Sequence, residues 1–178
     1  MIVCLGWGSL IWNPGSLPLE NEWNSDGPQL PVEYTRVSGG GRLTLVITEG
    51  APAITTFWSR LSVSSVDHAI EALAQREGCA QAAIGFWTDG NMSRHTQAGR
   101  IATWAKDRNC VAAVWTALKP GFPHSRGEPL TCEQALSHLR ILEGDERADA
   151  EEYIRRTPGQ VRTPYRTAIE QEFGWISA

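Results

Sequence analysis

The sequence MIVCLGWGSLIW (Met1–Trp12) opens the chain, and the rest of the chain is interpreted around it. Ile2–Leu5 is a short apolar run rich in β-branched residues, which predicts a buried strand. Gly6 and Gly8 follow, where the backbone can turn sharply or approach a ligand closely. A strand that ends in such a turn presents main-chain N–H groups that suit an oxyanion or a carboxylate. We therefore predict a binding turn directly after the first strand.

Two familiar glycine motifs are incomplete at this turn. The dinucleotide fingerprint G-x-G-x-x-G requires a third glycine where Ile11 stands, and a helix that Pro14 would disrupt. The nucleophile motif G-x-S-x-G also fails, because Leu10 and Ile11 follow Ser9. The turn therefore does not indicate a nicotinamide or flavin site, and we expect no cofactor.

Length and composition are those of one soluble globular domain, which we expect to span residues 1–178. Hydrophobic residues make up 42% of the chain and charged residues 20%, which are ordinary proportions. Sixteen basic and twenty acidic residues give a net charge of −4, and no Lys/Arg cluster is present. Nucleic acid and anionic membranes are therefore poor partners for this chain.

The four cysteines, Cys4, Cys79, Cys110 and Cys132, are scattered along the chain without a C-x-x-C pair or a nearby histidine. This spacing favours neither a metal site nor a disulfide framework, and it fits reduced cytosolic thiols. The opening apolar run is too short for a signal peptide or a membrane span. We therefore expect a cytoplasmic protein that holds no metal.

Three further strands are predicted in the first third of the chain, at Val32–Val37, Leu43–Thr48 and Ala53–Val63. Ser38–Gly41 separates the first two and contains three adjacent glycines, which are able to cradle a phosphate. The Lys-Ser/Thr pair that a P-loop requires does not follow, so a flexible hairpin connection is the favoured interpretation.

An amphipathic helix is predicted to begin at Ser64 or Ser65 and to end at Gly78. Ser64 with Asp67 approximates a capping box. The apolar positions follow the i, i+3, i+4, i+7, i+8 rule, and they are Val66, Ala69, Ile70, Leu73 and Ala74.

Glu77 extends this apolar stripe by one step, since it lies four residues after Leu73 and seven after Ile70. Desolvation and the carbonyls of the last helical turn would raise the pKa of a carboxyl group there, as proton transfer near neutral pH requires. In the alternative interpretation, the helix frays after Gln75 and Glu77 lies in water or pairs with Arg76.

The carboxyl half predicts fewer strands and more helix. The predicted strands are Ala83–Trp87, ended by a hairpin at Asp89-Gly90, and Cys110–Leu118, a continuous apolar run that predicts a central strand. The segment Asn91–Asn109 is ambiguous and allows a helix. The predicted helices are Thr131–Glu143, capped by Thr131 and Gln134 and stopped by Gly144, then Asp145–Arg156, and a third that Thr163 and Pro164 open and Gly174 ends. Strands in the first two thirds followed by helices indicate an α+β fold.

The turn at Gly6–Trp12 resembles the Y-G-S-L signature of the γ-glutamylcyclotransferase-like superfamily, and more closely the G-Y-G-S-L-I-W form of its ChaC-type branch. Trp7 stands where that family has a tyrosine. In the family this turn holds the γ-glutamyl part of the substrate, largely through main-chain groups. The resemblance therefore implies that Trp7, Gly8, Ser9 and Leu10 bind substrate.

The segment Leu73–Gly78 resembles a second motif of the same superfamily, L-D-x-x-E-G or L-D-x-R-E, with Ala74 in place of the aspartate. Its glutamate is the family's catalytic acid/base, a role that the resemblance carries to Glu77. Arg36 and Arg42 also resemble an arginine pattern of the ChaC-type branch, although the Arg-Gly-Thr-Pro run of that branch is absent. Either arginine could bind a substrate carboxylate, Arg42 in particular, or cap the end of a strand.

The resemblance implies a small mixed β-barrel with helices outside, and a cofactor-independent cyclotransferase that releases 5-oxoproline from a small γ-glutamyl substrate. It also implies a pocket tyrosine from the carboxyl half, for which Tyr153 and Tyr165 are the candidates. Two alternatives stay open. One is a catalytically silent member that binds a small amino-acid-like ligand or a protein partner, and the other is an amidohydrolase with Ser9 or Cys4 as nucleophile.

Overall fold

The computed structural model describes residues 1–177, and within them the chain forms eight strands and five α-helices. The strands are β1 (Ile2–Gly6), β2 (Gln29–Val37), β3 (Leu43–Ile47), β4 (Ala53–Thr55), β5 (Phe57–Arg60), β6 (Ile84–Thr88), β7 (Asn91–Met92) and β8 (Ala112–Thr116). The helices are α1 (Val66–Glu77), α2 (Ala98–Asp107), α3 (Cys132–Arg140), α4 (Gly144–Arg156) and α5 (Pro164–Phe173). The predicted α+β class is confirmed.

The chain divides into two compact units. The first comprises Met1–Gly6, Asn13–Leu30 and Thr55–Leu118. The second comprises Trp7–Trp12, Pro31–Ile54 and the chain from Lys119 onward.

A five-stranded sheet in the order β5-β1-β8-β6-β7 forms the framework of the first unit. β1 pairs parallel with β8 and antiparallel with β5, so the sheet is mixed. All five residues of β1 are buried, as the apolar run predicts. β8 lies at the centre of the sheet and has four buried residues in succession, Ala112–Trp115, which is typical of a strand covered on both faces.

One cross-strand pair in this sheet explains a glycine. Gly85 on β6 lies opposite Trp115 on β8. A Cβ atom at Gly85 would overlap the indole ring of Trp115, which is fully buried. The absence of a side chain on one strand therefore makes room for the largest side chain on the other.

Helix α1 packs against β8, β6 and β1, and the side chains of Ala69, Leu73 and Ala74 are buried. Its N-cap is Ser65, whose hydroxyl accepts the His68 N–H, whereas the Ser64 hydroxyl contacts the His68 ring. The approximate capping box of Ser64 with Asp67 is therefore replaced by a single serine cap one residue later.

The predicted helix stop is confirmed at Gly78, which adopts a left-handed conformation with φ +61°. Glycine adopts this conformation without the steric strain that a Cβ atom causes. The Gly78 N–H then donates to the Ala74 and Gln75 carbonyls and closes the last helical turn. The helix therefore runs through Glu77 without fraying.

The second sheet has three strands in the order β3-β2-β4. The segment Gly39–Gly41 forms a short 3₁₀ turn between antiparallel β2 and β3, which confirms the predicted hairpin connection. The single strand predicted over Ala53–Val63 is wrong, because the chain breaks at Thr56. There the Thr56 N–H and hydroxyl both donate to the Pro28 carbonyl, and β4 and β5 join different sheets.

The three closing helices begin largely where their caps predict. The Thr131–Gln134 capping box is formed at the start of α3, and Thr163 caps α5 with Pro164 in its first turn and Gly174 at its end. Gly144 does not stop α3, which ends at Arg140. Because Glu143 is extended, it becomes the N-cap of α4, and Gly144 is the first residue of that helix.

The barrel that the family resemblance implies is not seen as a closed structure within residues 1–177, where the strands form the two sheets above. A mixed arrangement of parallel and antiparallel strands is present. None of the helices within residues 1–177 is long and apolar enough to span a bilayer.

Candidate functional site

The predicted binding turn follows β1 and belongs to the second unit. The N–H of Ile11 donates to the carbonyl of Gly8 at 3.0 Å, which closes a tight turn. Ser9 and Leu10, two of the four turn residues in the substrate-binding prediction, lie at the centre of this turn. Leu10 is buried and Ser9 is partly exposed.

Trp7 anchors the turn to the free side of β3. Its indole Nε1 donates to the Leu45 carbonyl at 3.3 Å, and the Leu45 N–H donates to the Tyr153 hydroxyl at 3.4 Å. Both main-chain groups of Leu45 would otherwise be unpaired at the edge of the sheet. The buried Trp7 ring thus has a structural partner, and its predicted contact with substrate stays a prediction.

Gly8 lies directly beneath the hydroxyl of Tyr153. A Cβ atom at Gly8 would collide with that oxygen, so the residue is glycine because a tyrosine occupies the adjacent space. Trp12 contacts the same tyrosine ring edge-on, with centroids 5.3 Å apart. Tyr153 therefore lies at the turn.

Tyr165, the other candidate pocket tyrosine, makes a different contact. Its hydroxyl donates to the Leu130 carbonyl at 2.9 Å, and its N–H donates to the Glu33 carboxylate at 3.3 Å. Of the two tyrosines, Tyr153 is the one in contact with the turn.

The two candidate arginines differ in their surroundings. Arg36 donates to the Lys119 carbonyl at 2.6 Å, as expected of a residue that fixes a strand end. Arg42 follows the glycine turn and is exposed, and its predicted contact with a substrate carboxylate stays a prediction. The Glu146 carboxylate lies within 4 Å of the position that a Cβ at Gly41 would take, so the turn itself does not suit a phosphate.

Glu77 is the last residue of α1, in the first unit, and its side chain is 15% exposed. The apolar stripe therefore places it in a sheltered position, as predicted. Its Oε1 atom accepts a hydrogen bond from Arg76 at 2.5 Å, so the pairing with Arg76 also occurs. The helix does not fray after Gln75, so that part of the alternative interpretation is wrong, whereas its pairing with Arg76 is present.

Arg76 links this carboxylate to the chain that follows the turn. The Arg76 side chain is 10% exposed, and both its Nε and its Nη2 donate to the carbonyl of Asn13. No local pattern signals this contact, because Asn13 and Arg76 are 63 positions apart.

Cys4 lies within reach of the charges of both Arg76 and Glu77. The pKa of its thiol is raised, first by complete burial and second by the Glu77 charge, while Arg76 acts in the opposite direction. Because the thiolate is the nucleophilic form, Cys4 is a poor candidate for the nucleophile of an amidohydrolase.

A loop histidine and the four cysteines complete the described residues of chemical interest. His124 stacks on the ring of Phe122, with centroids 5.5 Å apart. None of the four cysteines forms a disulfide within the described chain. Within residues 1–177, no three His, Cys, Asp or Glu side chains are grouped to hold a metal ion.

The predicted residues therefore fall into two local clusters, one in each unit. Glu77 lies with Arg76, Asn13 and Cys4. The turn residues Trp7 and Gly8 lie with Leu45, Trp12 and Tyr153.

Comparison with known proteins adds no family assignment: no family model matches the chain, and neither a curated protein nor a solved structure matches it.

Proposed function

We propose that the protein is a γ-glutamyl cyclotransferase, which converts a small γ-glutamyl amide into 5-oxoproline and a free amine or amino acid. The observation that carries the proposal is the sheltered Glu77 carboxylate at the end of α1, with one oxygen held by Arg76 and the other outside that hydrogen bond. The proposal includes the γ-glutamylcyclotransferase-like fold and a cytoplasmic location, where cysteines that form no disulfide would stay reduced.

In the proposed reaction, the α-amine of the substrate attacks its own γ-carbonyl carbon. A carbon–nitrogen bond forms, the oxyanion collapses, and the original amide bond breaks. Glu77 takes a proton from the attacking amine and returns it to the leaving nitrogen, so that the carboxylate is regenerated. No oxidant, reductant or external nucleophile enters the atom balance.

Two physical effects would lower the barrier. Binding the substrate in a folded conformation makes the attack intramolecular, and a well-oriented reaction of this kind gains several kcal/mol over the bimolecular one, about 7–11 in favourable cases. Main-chain N–H groups of the turn at Gly8, Ser9 and Leu10, with Trp7 and Arg42 beside the substrate, would hold the glutamyl unit and stabilise its oxyanion.

The test is release of 5-oxoproline from a panel of γ-glutamyl amides, peptides and amines, measured by mass spectrometry. Glu77→Gln is expected to retain its fold and to make no 5-oxoproline. Glu71→Gln is the matched control, since Glu71 lies on the same helix but is exposed. Equal turnover by wild type and Glu77→Gln would refute the assignment of the acid/base.

A second candidate is a catalytically silent protein that binds a small amino-acid-like ligand. The observation in its favour is Trp7, whose indole N–H is used by the Leu45 carbonyl where the related enzymes carry a tyrosine hydroxyl. This candidate predicts no turnover of any γ-glutamyl compound, together with a ligand-dependent rise in melting temperature. The panel above separates the two.

A further inference from the structure

Arg76 and Glu77 form an unusual contact for adjacent residues of a helix. Successive side chains leave an α-helix about 100° apart, so neighbours in sequence do not normally face each other. Here both side chains turn together, and the Arg76 Nη1 atom lies 2.5 Å from Glu77 Oε1. Exposures of 10% and 15% show that this ion pair is sheltered, unlike a surface pair that water would screen.

The guanidinium group is itself fixed at its other side. Its Nε atom donates to the Asn13 carbonyl at 3.2 Å, and Nη2 donates to the same oxygen. A planar guanidinium held by two N–H groups on one acceptor cannot rotate freely about its terminal bonds. Arg76 therefore presents Nη1 to Glu77 from a defined direction.

This arrangement distinguishes the two oxygens of the Glu77 carboxylate. Oε1 accepts the Arg76 hydrogen bond, whereas Oε2 lies outside that hydrogen bond. A carboxylate that is free to rotate would exchange the two atoms, and the ion pair opposes that exchange. Only one oxygen is then oriented for transfer of a proton.

We infer that Arg76 is a positioning residue that holds Glu77 Oε1, so that Oε2 is the atom that exchanges the proton. The inference rests on the proposed cyclotransferase reaction. Oε2 takes the proton as the amine nitrogen bonds to the γ-carbonyl carbon, and gives it to the nitrogen that leaves when the amide bond breaks. Arg76 keeps its own proton throughout and needs no contact with the substrate.

The kinetic test compares Arg76→Met and Arg76→Lys with wild type. Because loss of orientation at a reacting group costs up to about 100-fold, we expect Arg76→Met to lower kcat by about 10–100-fold and to change KM by less than about three-fold. Lysine retains the charge but not the planar fork, so Arg76→Lys should recover part of kcat. Arg60→Met is the matched control, because Arg60 forms an exposed ion pair with Glu20.

If Arg76 had only a structural role, its substitution would lower the melting temperature and the fraction of active protein, but it would not lower kcat while leaving KM nearly unchanged. Each variant is therefore checked by circular dichroism and active-site titration, and Arg76→Lys serves if Arg76→Met does not fold. A kcat within two-fold of wild type in folded Arg76→Met, or a loss confined to KM, would overturn the inference.

An experiment without substrate distinguishes this inference from the proposed function. The carboxyl ¹³C resonance of Glu77, assigned from its absence in Glu77→Gln, should shift in Arg76→Met and remain unchanged in Arg60→Met. An unchanged resonance in Arg76→Met would show that the guanidinium does not hold the carboxylate. Absence of 5-oxoproline from wild type together with a shifted resonance would instead refute the cyclotransferase and leave the ion pair established.

Discussion

The contact between Gly8 and Tyr153 allows a quantitative test of how the turn is built. The Gly8→Ala substitution adds one Cβ atom to a residue whose φ is not positive, so the backbone itself tolerates alanine. That atom would overlap the Tyr153 hydroxyl oxygen, while the next nearest atoms, Tyr153 Cζ and Leu45 Cδ1, would be 3.4 and 4.0 Å away. The steric conflict therefore arises almost entirely from one oxygen.

The expected magnitudes follow from this geometry. Overpacking by one carbon lowers the free energy of unfolding by about 2 kcal/mol in a well-packed site. Tyr153→Phe loses the Leu45 N–H partner at 3.4 Å, a long bond, and should cost about 1 kcal/mol. If the effects were independent, the double variant would lose about 3 kcal/mol, the sum of these two values. Because Tyr153→Phe removes the colliding oxygen, we expect the double variant to lose only about 1 kcal/mol.

Urea unfolding followed by tryptophan fluorescence measures all four free energies. The account requires a coupling of about 2 kcal/mol between Gly8→Ala and Tyr153→Phe. Additive losses would refute it, since they would mean that the hydroxyl does not lie against the turn. Tyr165→Phe is the control, because the Tyr165 hydroxyl contacts Leu130 and not the turn. Its loss in free energy of unfolding should add to that of Gly8→Ala without coupling.

Three further outcomes are expected from other buried groups. Burial raises the pKa of Glu33 above its ordinary value, against the opposing effect of its hydrogen-bond donors, so the native state binds this proton more tightly than the unfolded state. Because of this carboxyl, the free energy of unfolding should fall as pH rises from its ordinary pKa through its folded pKa. The urea midpoint of Glu33→Gln should therefore fall less steeply with pH than that of wild type, and identical slopes would contradict this. Arg166→Met removes the guanidinium donor that the carbonyls of Thr157, Pro158 and Val161 share, and it should lower the free energy of unfolding by about 3–5 kcal/mol in urea. A loss below about 1 kcal/mol would show that this network is not formed in solution. Cys4→Ala should retain 5-oxoproline release, because a buried, protonated thiol is no nucleophile, and loss of turnover in the folded variant would revive the amidohydrolase.

Local sequence was sufficient where the deciding interactions lie within a few residues. The stripe of α1, its start at Ser64 or Ser65 and its glycine stop all depend on contacts within one or two helical turns, and each could be predicted. The same is true of the Thr131 capping box and the hairpin at Gly39–Gly41. Because the helix continues through Glu77, the shelter of that side chain could also be predicted from periodicity.

Interactions between distant segments could not be predicted in this way. Ala53–Val63 has the composition of one strand, but Thr56 donates a hydrogen bond to the Pro28 carbonyl, and β4 and β5 on either side of it join different sheets. Arg76 pairs with Asn13 across 63 positions, for which no spacing rule exists. Gly144 has the form of a helix stop, yet it begins α4 because Glu143 is extended.

The most direct test of the proposed reaction is turnover of γ-glutamyl substrates in ¹⁸O-labelled water, with products identified by mass spectrometry for wild type and Glu77→Gln. Intramolecular attack by the α-amine predicts 5-oxoproline without ¹⁸O from wild type, and none from the variant. Glutamate that carries ¹⁸O would indicate a hydrolase, and unchanged 5-oxoproline release by Glu77→Gln would contradict the role assigned to its carboxylate.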